Sequence, residues 1–194
     1  MSDYAEFAPD PRVLVGGYVE ADPAFAPRRP ASVDEETFKA AMRSLAAGVV
    51  MVVARRGRRL WGLTISACCS ISASPPQVLI SLADDASCLE AILETGRFGL
   101  SVLRADQKDL AELGAVPGGP KWVDAFCEGA GPDGTTTMIA GALVHLDCAV
   151  ARVFQVSGHT LLIGDVVAVV RPDRAGGPLL YFERTFHELG EALP

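Results

Sequence analysis

The sequence predicts a mainly β domain with a few helices, its strands arranged as a closed or partly closed barrel. Two observations carry this. Short β-branched runs recur between turn residues along most of the chain, and only three stretches keep a helical apolar period; together they make about seven strands and three helices. No internal repeat, heptad or low-complexity block interrupts the pattern.

Residues 1–31 hold Pro9, Pro11, Pro23, Pro27 and Pro30 with no sustained apolar period, so they read as an extended arm, and the folded domain is expected over 32–194. Ser32-Val33-Asp34-Glu35 has the spacing of a capping box. Behind it Phe38, Ala41, Met42, Leu45 and Ala46 form an apolar stripe at helical period, with Gly48 as the stop. Val49–Ala54, Leu60–Ser66, Cys68–Ser72 and Gln77–Leu82 then read as four strands of an antiparallel meander. Between the first two lies Arg55-Arg56-Gly57-Arg58-Arg59, whose cations suit either a cofactor phosphate or a solvated hairpin tip; the latter is favoured and no role is assigned.

A second capping box, Ser87-Cys88-Leu89-Glu90, opens a helix that keeps Leu89, Ile92 and Leu93 on one side and ends at Gly96. Phe98–Leu103 is a further strand, and Asp106 caps a short helix to Leu113. Residues 114–134 are rich in Gly and Pro, and so long a stretch without evident structure is expected to be functional or mobile. The last third is strand-like over Leu143–Val156, Thr160–Arg171 and Leu179–Glu183, ending in Phe186-His187-Glu188-Leu189. Along the first of these, Ala142, Val144, Leu146, Cys148 and Val150 alternate with His145 and Asp147. That predicts one buried face and one solvent face carrying the histidine.

Composition narrows the function classes. The chain has 194 residues, 49% of them hydrophobic and 21% charged, enough apolar content for one sizeable core. Seventeen Lys and Arg stand against 24 Asp and Glu, a net charge of -7, the wrong sign for a nucleic-acid partner. The longest apolar run, Leu161–Val170, contains Gly164 and Asp165 and is too short to span a bilayer. No basic residue precedes Arg12, so the first residues lack the pattern of a signal peptide, and a cytoplasmic location is expected. Five cysteines, an odd number mostly within apolar patterns, read as free thiols in a reducing compartment rather than as disulfides or a metal site.

No Gly-x-Ser-x-Gly, His-Glu-x-x-His, Cys-x-x-Cys or Walker pattern is present, which disfavours a serine or metal hydrolase. Two segments combine small polar residues with strand geometry. In Trp61–Cys68, Thr64 and Ser66 offer hydroxyls beside small neighbours; this is either an ordinary strand with surface hydroxyls or a wall that a flat ligand approaches. Ser81–Ser87 is a strand end running into a helix start, where free N–H groups favour an anion, although Asp84 and Asp85 repel one; a plain cap at Ser87 is the alternative. Of three histidines, only His159, in the turn Ser157-Gly158-His159-Thr160, occupies a loop of the ligand-binding kind.

Taken together, these pieces resemble the flavin reductase-like family over about residues 36–190. The matching order is Phe38-x-x-Ala41-Met42 with Ala46-Ala47-Gly48-Val49, Gly62-Leu63-Thr64-x-Ser66-Ala67, Ser70-Ile71-Ser72 and Pro75-Pro76. Then come Phe98-x-x-Ser101-Val102-Leu103, Asp106-Gln107-x-x-Leu110-Ala111, Gly141-Ala142-Leu143 with Cys148, Gly158-His159-Thr160, Ile163-Gly164-Asp165-Val166 and Pro178-Leu179-Leu180-Tyr181. The resemblance implies a homodimeric FMN-binding split barrel of Greek-key type. The implied activity is an NAD(P)H-dependent flavin reductase that passes hydride from NADH or NADPH to FMN or FAD and supplies a partner monooxygenase. Two other activities stay open: a flavin- or haem-binding carrier or sensor without turnover, and a flavin-dependent reductase of a metal complex.

By the same resemblance, Thr64, Ile65, Ser66, Ala67 and Cys68 lie along the isoalloxazine and ribityl chain. Ser81, Leu82 and Ser87 come near the phosphate, Phe98 joins the cofactor site, and Tyr181 and Phe186 close it. His159 is placed where nicotinamide stacks on the flavin, and no metal is implied. The chain departs from the family pattern at Ser157, where no acid precedes the histidine turn, at Ala47 in place of the common Thr, and at Cys68-Cys69.

Overall fold

The computed structural model describes residues 31–116, 121–128, 137–173 and 176–192, so the expected arm lies outside the described residues except for Ala31. Helix α1 (Glu35–Arg43) starts at Asp34, whose carboxylate accepts the Thr37 N–H at 2.9 Å and the Thr37 hydroxyl at 2.7 Å. The cap thus falls two residues after the expected Ser32, on the carboxylate that satisfies the orphan amide. The helix ends at Ser44 rather than Gly48, which instead enters a short strand, β1 (Ala47–Gly48). Its apolar stripe is not a core face: α1 buries no residue, and Phe38, Met42 and Leu45 are exposed in the single chain.

β2 (Val50–Arg56) and β3 (Arg59–Ile65) form a hairpin turned at Gly57, φ 59°. β2 is sandwiched: Val50, Val52 and Ala54 belong to one core, Met51 and Val53 to another, which explains a run that is apolar throughout. β4 (Cys68–Ala73) and β5 (Pro76–Ala83) pair next, followed by α2 (Leu89–Thr95), closed by Gly96 at φ 66°. Cys88, not Ser87, is the N-cap residue of α2, and its side chain makes no capping bond. β6 (Arg97–Val102) leads through a 3-10 turn, Ala105–Gln107, into α3 (Lys108–Ala115). Asp106 lies inside that turn bonded to Arg104, while Gln107 accepts the Arg104 N–H at 3.0 Å, so the expected Asp106 cap is replaced. β7 (Cys127–Glu128) and β8 (Met138–Ile139) form a small ribbon, and β9 (Val144–Val156), β10 (His159–Val170), β11 (Leu179–Phe182) and β12 (Thr185–Glu188) complete the fold.

The main sheet has seven strands in the order β3-β2-β6-β9-β10-β5-β4, all neighbours antiparallel. The expected four-strand meander is therefore broken: β3 and β4, consecutive in sequence, are opposite edges. Only Ser66 and Ala67 separate them, and three residue steps reach about 10 Å. The sheet must curl until its two edges meet at that joint. The edges do not hydrogen-bond to each other, so the closed form of the expected barrel is not what forms. A second sheet, β1-β11-β12, lies beside it.

One core packs α2 against β2, β6 and β10 through Ile80, Leu82, Leu89, Ile92, Phe98 and Leu162. The other lies beneath α3 and residues 121–128 and 137–139, around Met51, Leu103, Leu110, Val123, Ile139 and Leu179. Two expectations are corrected here. Part of the 114–134 stretch is ordered cover, Val123 being fully buried and Trp122 bridging to Trp61. The predicted solvent face of β9 is an interior instead: His145 and Asp147 are each 1% exposed. Ser101 faces His145, and Arg97 meets Asp147 at 2.7 Å, so both polar groups of the strand are answered from β6.

Candidate functional site

A cleft of about 650 Å³ opens where the end of β3 meets α3 and the β11-β12 hairpin. This volume lies within the range of small-molecule sites. Thr64, Ile65 and Ser66 form one wall, and Tyr181 and Phe186 another. The two rings are cross-strand partners with centroids 5.2 Å apart, tilted by 58°. Five of the residues expected at a ligand site are thereby brought together.

Thr64 is held rather than free: its hydroxyl donates to the Ala111 carbonyl at 2.8 Å, tying β3 to α3. The close approach depends on Gly114, where a Cβ would lie 2.3 Å from Thr64 Oγ1 and 2.8 Å from Met51 Cε. On the α3 side Lys108 and Glu112 line the cleft and pair at 3.4 Å, one helical turn apart. On the hairpin side Arg184 and Thr185 line it. Both central residues of that turn have positive φ, 49° at Glu183 and 63° at Arg184. Asn-Gly is the easy solution for such a turn, and each non-glycine residue there costs on the order of 1 kcal/mol. The turn is tethered to the end of α1, where Glu183 N–H donates to the Arg43 carbonyl at 3.1 Å and Ser44 Oγ meets Glu183 Oε1 at 3.2 Å.

A second group gathers at the neighbouring end of β4, β5 and β10. The Ser81 N–H donates to the Ala67 carbonyl at 3.1 Å, and Cys68 pairs with Ile80. His159 lies opposite Ala83, exposed, directly after a turn at Ser157 (φ 50°) and Gly158 (φ 80°). The turn is fixed to the β5 end: Asp84 N–H donates to the Gly158 carbonyl at 3.1 Å, and the Thr160 hydroxyl donates to Asp84 Oδ1 at 2.7 Å. Ser87 Oγ is buried and has no hydrogen-bond partner among the described residues. An orphaned hydroxyl at a helix start is a position where a ligand oxygen would be answered. The Cys68 thiol is half-buried, and its pKa is raised by that burial and, less, by Cys69.

Two expected site residues do not belong to either group. Leu82, 1% exposed, and Phe98, 0% exposed, are core side chains. The Phe98 ring occupies the space over Gly164, where a Cβ would lie 2.5 Å from its Cζ, so it can touch no ligand. Sequence reasoning in turn missed Lys108, Glu112 and Arg184. The first two carried a weak sign in their i, i+4 spacing; Arg184 carried none, because an arginine in a turn reads as an ordinary solvated cation. It also missed His145, buried, with Nδ1 3.0 Å from Ser101 Oγ, whose oxygen accepts the Ile139 N–H at 3.1 Å. Burial pushes its pKa down to about 4. Among the described residues no group of metal ligands is found, and no helix is long and apolar enough to cross a membrane.

Residues 42–190 match the family model described as flavin reductase like domain. The chain is 34% identical over 158 residues to a flavin reductase (NADH) of Kitasatospora aureofaciens, covering 81% of this chain and 83% of that one. It is 33% identical to the reductase component of 4-hydroxyphenylacetate 3-monooxygenase of Thermus thermophilus, over 80% of this chain and 97% of the other. The solved flavin reductase of styrene monooxygenase from Pseudomonas putida superimposes with a TM-score of 0.74 at 27% identity, covering 81% of this chain and 99% of that one.

Proposed function

The chain belongs to the flavin reductase-like family, and on that premise we propose that it is an NADH-dependent flavin reductase supplying reduced flavin to a separate monooxygenase. The observation that carries the reading is the cleft itself, in which the Thr64–Ser66 backbone and the Tyr181 and Phe186 rings enclose space suited to a flat, partly polar ligand. Relatives named as NADH-dependent flavin reductases and as a monooxygenase reductase component support both donor and destination. FMN and FAD are both compatible with relatives so named.

The residues present fit a flavin. Thr64, Ile65 and Ser66 would flank its ring, Tyr181 and Phe186 would cover it, and the orphaned Ser87 hydroxyl with the Ser81 segment would meet its polar tail. When bound, the flavin supplies the hydride-accepting centre. The protein's own part is positional. Thr64 is locked by Ala111, so the strand beneath the ring cannot drift, while the apolar and aromatic walls exclude water. His159, held by the Gly158–Asp84 bond, would orient the nicotinamide amide and needs no proton transfer to do so.

The curled sheet whose edges meet at Ser66–Ala67 supports a split barrel. The uncovered apolar side of α1, with Phe38 at 56% and Met42 at 44% exposed, supports a homodimer in which this face is covered. Five unpaired cysteines suit a reducing, cytoplasmic compartment. The test is to mix purified protein with NADH and excess FMN and follow nicotinamide absorbance. Many flavin-dependent turnovers per protein are expected. Tight flavin binding without turnover by NADH or NADPH would replace the reductase with a carrier, and absence of flavin binding would overturn both.

A further inference from the structure

We propose that Arg184, together with Lys108, forms a subsite for the phosphate ester of a nucleotide at the cleft; the inference rests on the reductase reading, whose ligands carry such groups. Both cations line the cleft that Tyr181 and Phe186 wall. Arg184 forms no ion pair among the described residues; Arg58, Arg152 and Arg171 form none either, but of these four only Arg184 lines the cleft. Lys108 is only partly neutralised by Glu112 at 3.4 Å, so the two cations and one carboxylate leave the cleft net positive.

The backbone strengthens the point. Arg184 sits at φ 63°, a conformation suited to glycine or asparagine, so the position keeps a long charged side chain where a small residue would fold more easily. The turn is also fixed by Glu183 bonding to Arg43 and Ser44, which presents the guanidinium from a constrained backbone. A planar guanidinium beside aromatic walls matches a phosphate attached to a flat ring system, since it binds two oxygens at once. With the flavin tail assigned to Ser87, the phosphate at Arg184 is that of the nicotinamide dinucleotide; a flavin phosphate bound here would displace the Ser87 assignment, and the experiment separates the two sources.

Arg184→Asn keeps a residue that tolerates the left-handed backbone and removes the charge; its thermal midpoint is expected to equal or exceed that of the parent. Flavin dissociation constants are read by fluorescence quenching with FMN and with riboflavin, which lacks the phosphate. NADH KM is read with riboflavin as acceptor. If the flavin supplies the phosphate, FMN binding weakens about tenfold and riboflavin binding does not change. If the dinucleotide supplies it, both flavins bind as before and the NADH KM rises by a similar factor. Lys108→Ala is expected to act in the same direction with a smaller effect. Unchanged FMN binding together with unchanged NADH KM overturns the subsite, as does an equal loss for FMN and riboflavin, which would mean that Arg184 shapes the ring pocket. A parent protein that neither binds flavin nor oxidises NADH refutes the reductase reading itself, a result distinct from any obtained with the variants.

Discussion

Protonating His145 should destabilise the fold, and the size of the effect follows from where the ring lies. It is 1% exposed on β9, with Ser101 at Nδ1 and no hydrogen-bond partner at Nε2 among the described residues. Gly99 forms its floor so closely that a Cβ there would lie 2.5 Å from Cε1. Nearby on the same face, Asp147 is already engaged by Arg97 at 2.7 Å. A cation formed at this ring would lose hydration and gain no compensating anion, and burial accordingly lowers the pKa from 6.5 to about 4.

Because the unfolded chain binds this proton more readily, it carries more protons than the folded chain between those two values, and stability rises with pH across that window. The contribution is complete above pH 6.5 and is lost as pH falls toward 4. At about 1.4 kcal/mol per pH unit, the full effect is about 3 kcal/mol, of which about 2 kcal/mol is lost between pH 7.5 and 5. Urea unfolding at both pH values measures it. His145→Asn keeps an amide at the Nδ1 position for Ser101 and cannot titrate, so its stability should change about 2 kcal/mol less than the parent's over that interval. Equal pH dependence in the two proteins would show that His145 is not the group being protonated, whatever the variant's absolute stability.

Three further perturbations address the site. Gly114→Ala forces a methyl against Thr64 Oγ1 and the Met51 side chain; a loss of about 1–3 kcal/mol is expected, seen as a lower urea midpoint, and an unchanged midpoint would mean that α3 does not seat on β3 as described. His159→Ala should raise the NADH KM while FMN affinity by fluorescence stays near that of the parent, and a loss of flavin binding instead would remove the histidine from the nicotinamide position. Ser87→Asp sets a carboxylate at the buried, unpartnered hydroxyl and should weaken FMN more than riboflavin through repulsion of the phosphate; equal affinities for parent and variant would dissociate Ser87 from the flavin tail.

Much of this was legible in the sequence, and the failures share a cause. Individual strands were readable because β-branched runs and turn residues are local features: the Arg55–Arg59 tip is a hairpin, and Gly96 ends α2 in the left-handed conformation. What could not be read was what lies on the other side of an element. The alternation along β9 looked like a solvent face, yet His145 is buried, and its partner Ser101 accepts the Ile139 N–H from residues to which the sequence assigned no element. The stripe on α1 looked like a core face and is bare in the single chain. Two residues between apolar runs usually signal a hairpin; at Ser66–Ala67 they instead join opposite edges of a sheet. Thr64–Ser66 and the Tyr181–Phe186 tail, expected at a site from the family pattern, line one cleft, whereas Lys108 and Arg184 line it only because α3 and the last hairpin converge there.

That joint also ties together the two groups of residues, distant in sequence, that the proposed function assigns to flavin and nicotinamide. Thr64, Ile65 and Ser66 look into the cleft, and the next carbonyl, Ala67, is held by the Ser81 N–H. From Ser81 the strand runs to Asp84, which fixes the Gly158 turn and with it His159. The cleft wall and the histidine turn are therefore linked through a short chain of backbone hydrogen bonds with no flexible loop between them. Hydride transfer demands that the donor carbon of the nicotinamide and the accepting ring nitrogen of the flavin be held within a few tenths of an ångström of a productive separation. A curled sheet meets that demand where its edges converge, since edge strands leave backbone groups unpaired and the small side chains of Ser66 and Ala67 let a planar ligand approach them. On this reasoning Ala67→Val, which bars that approach while leaving the Ala67–Ser81 bond in place, should weaken FMN and riboflavin alike. Measured by fluorescence quenching, a loss confined to FMN would contradict a ring seated at the joint.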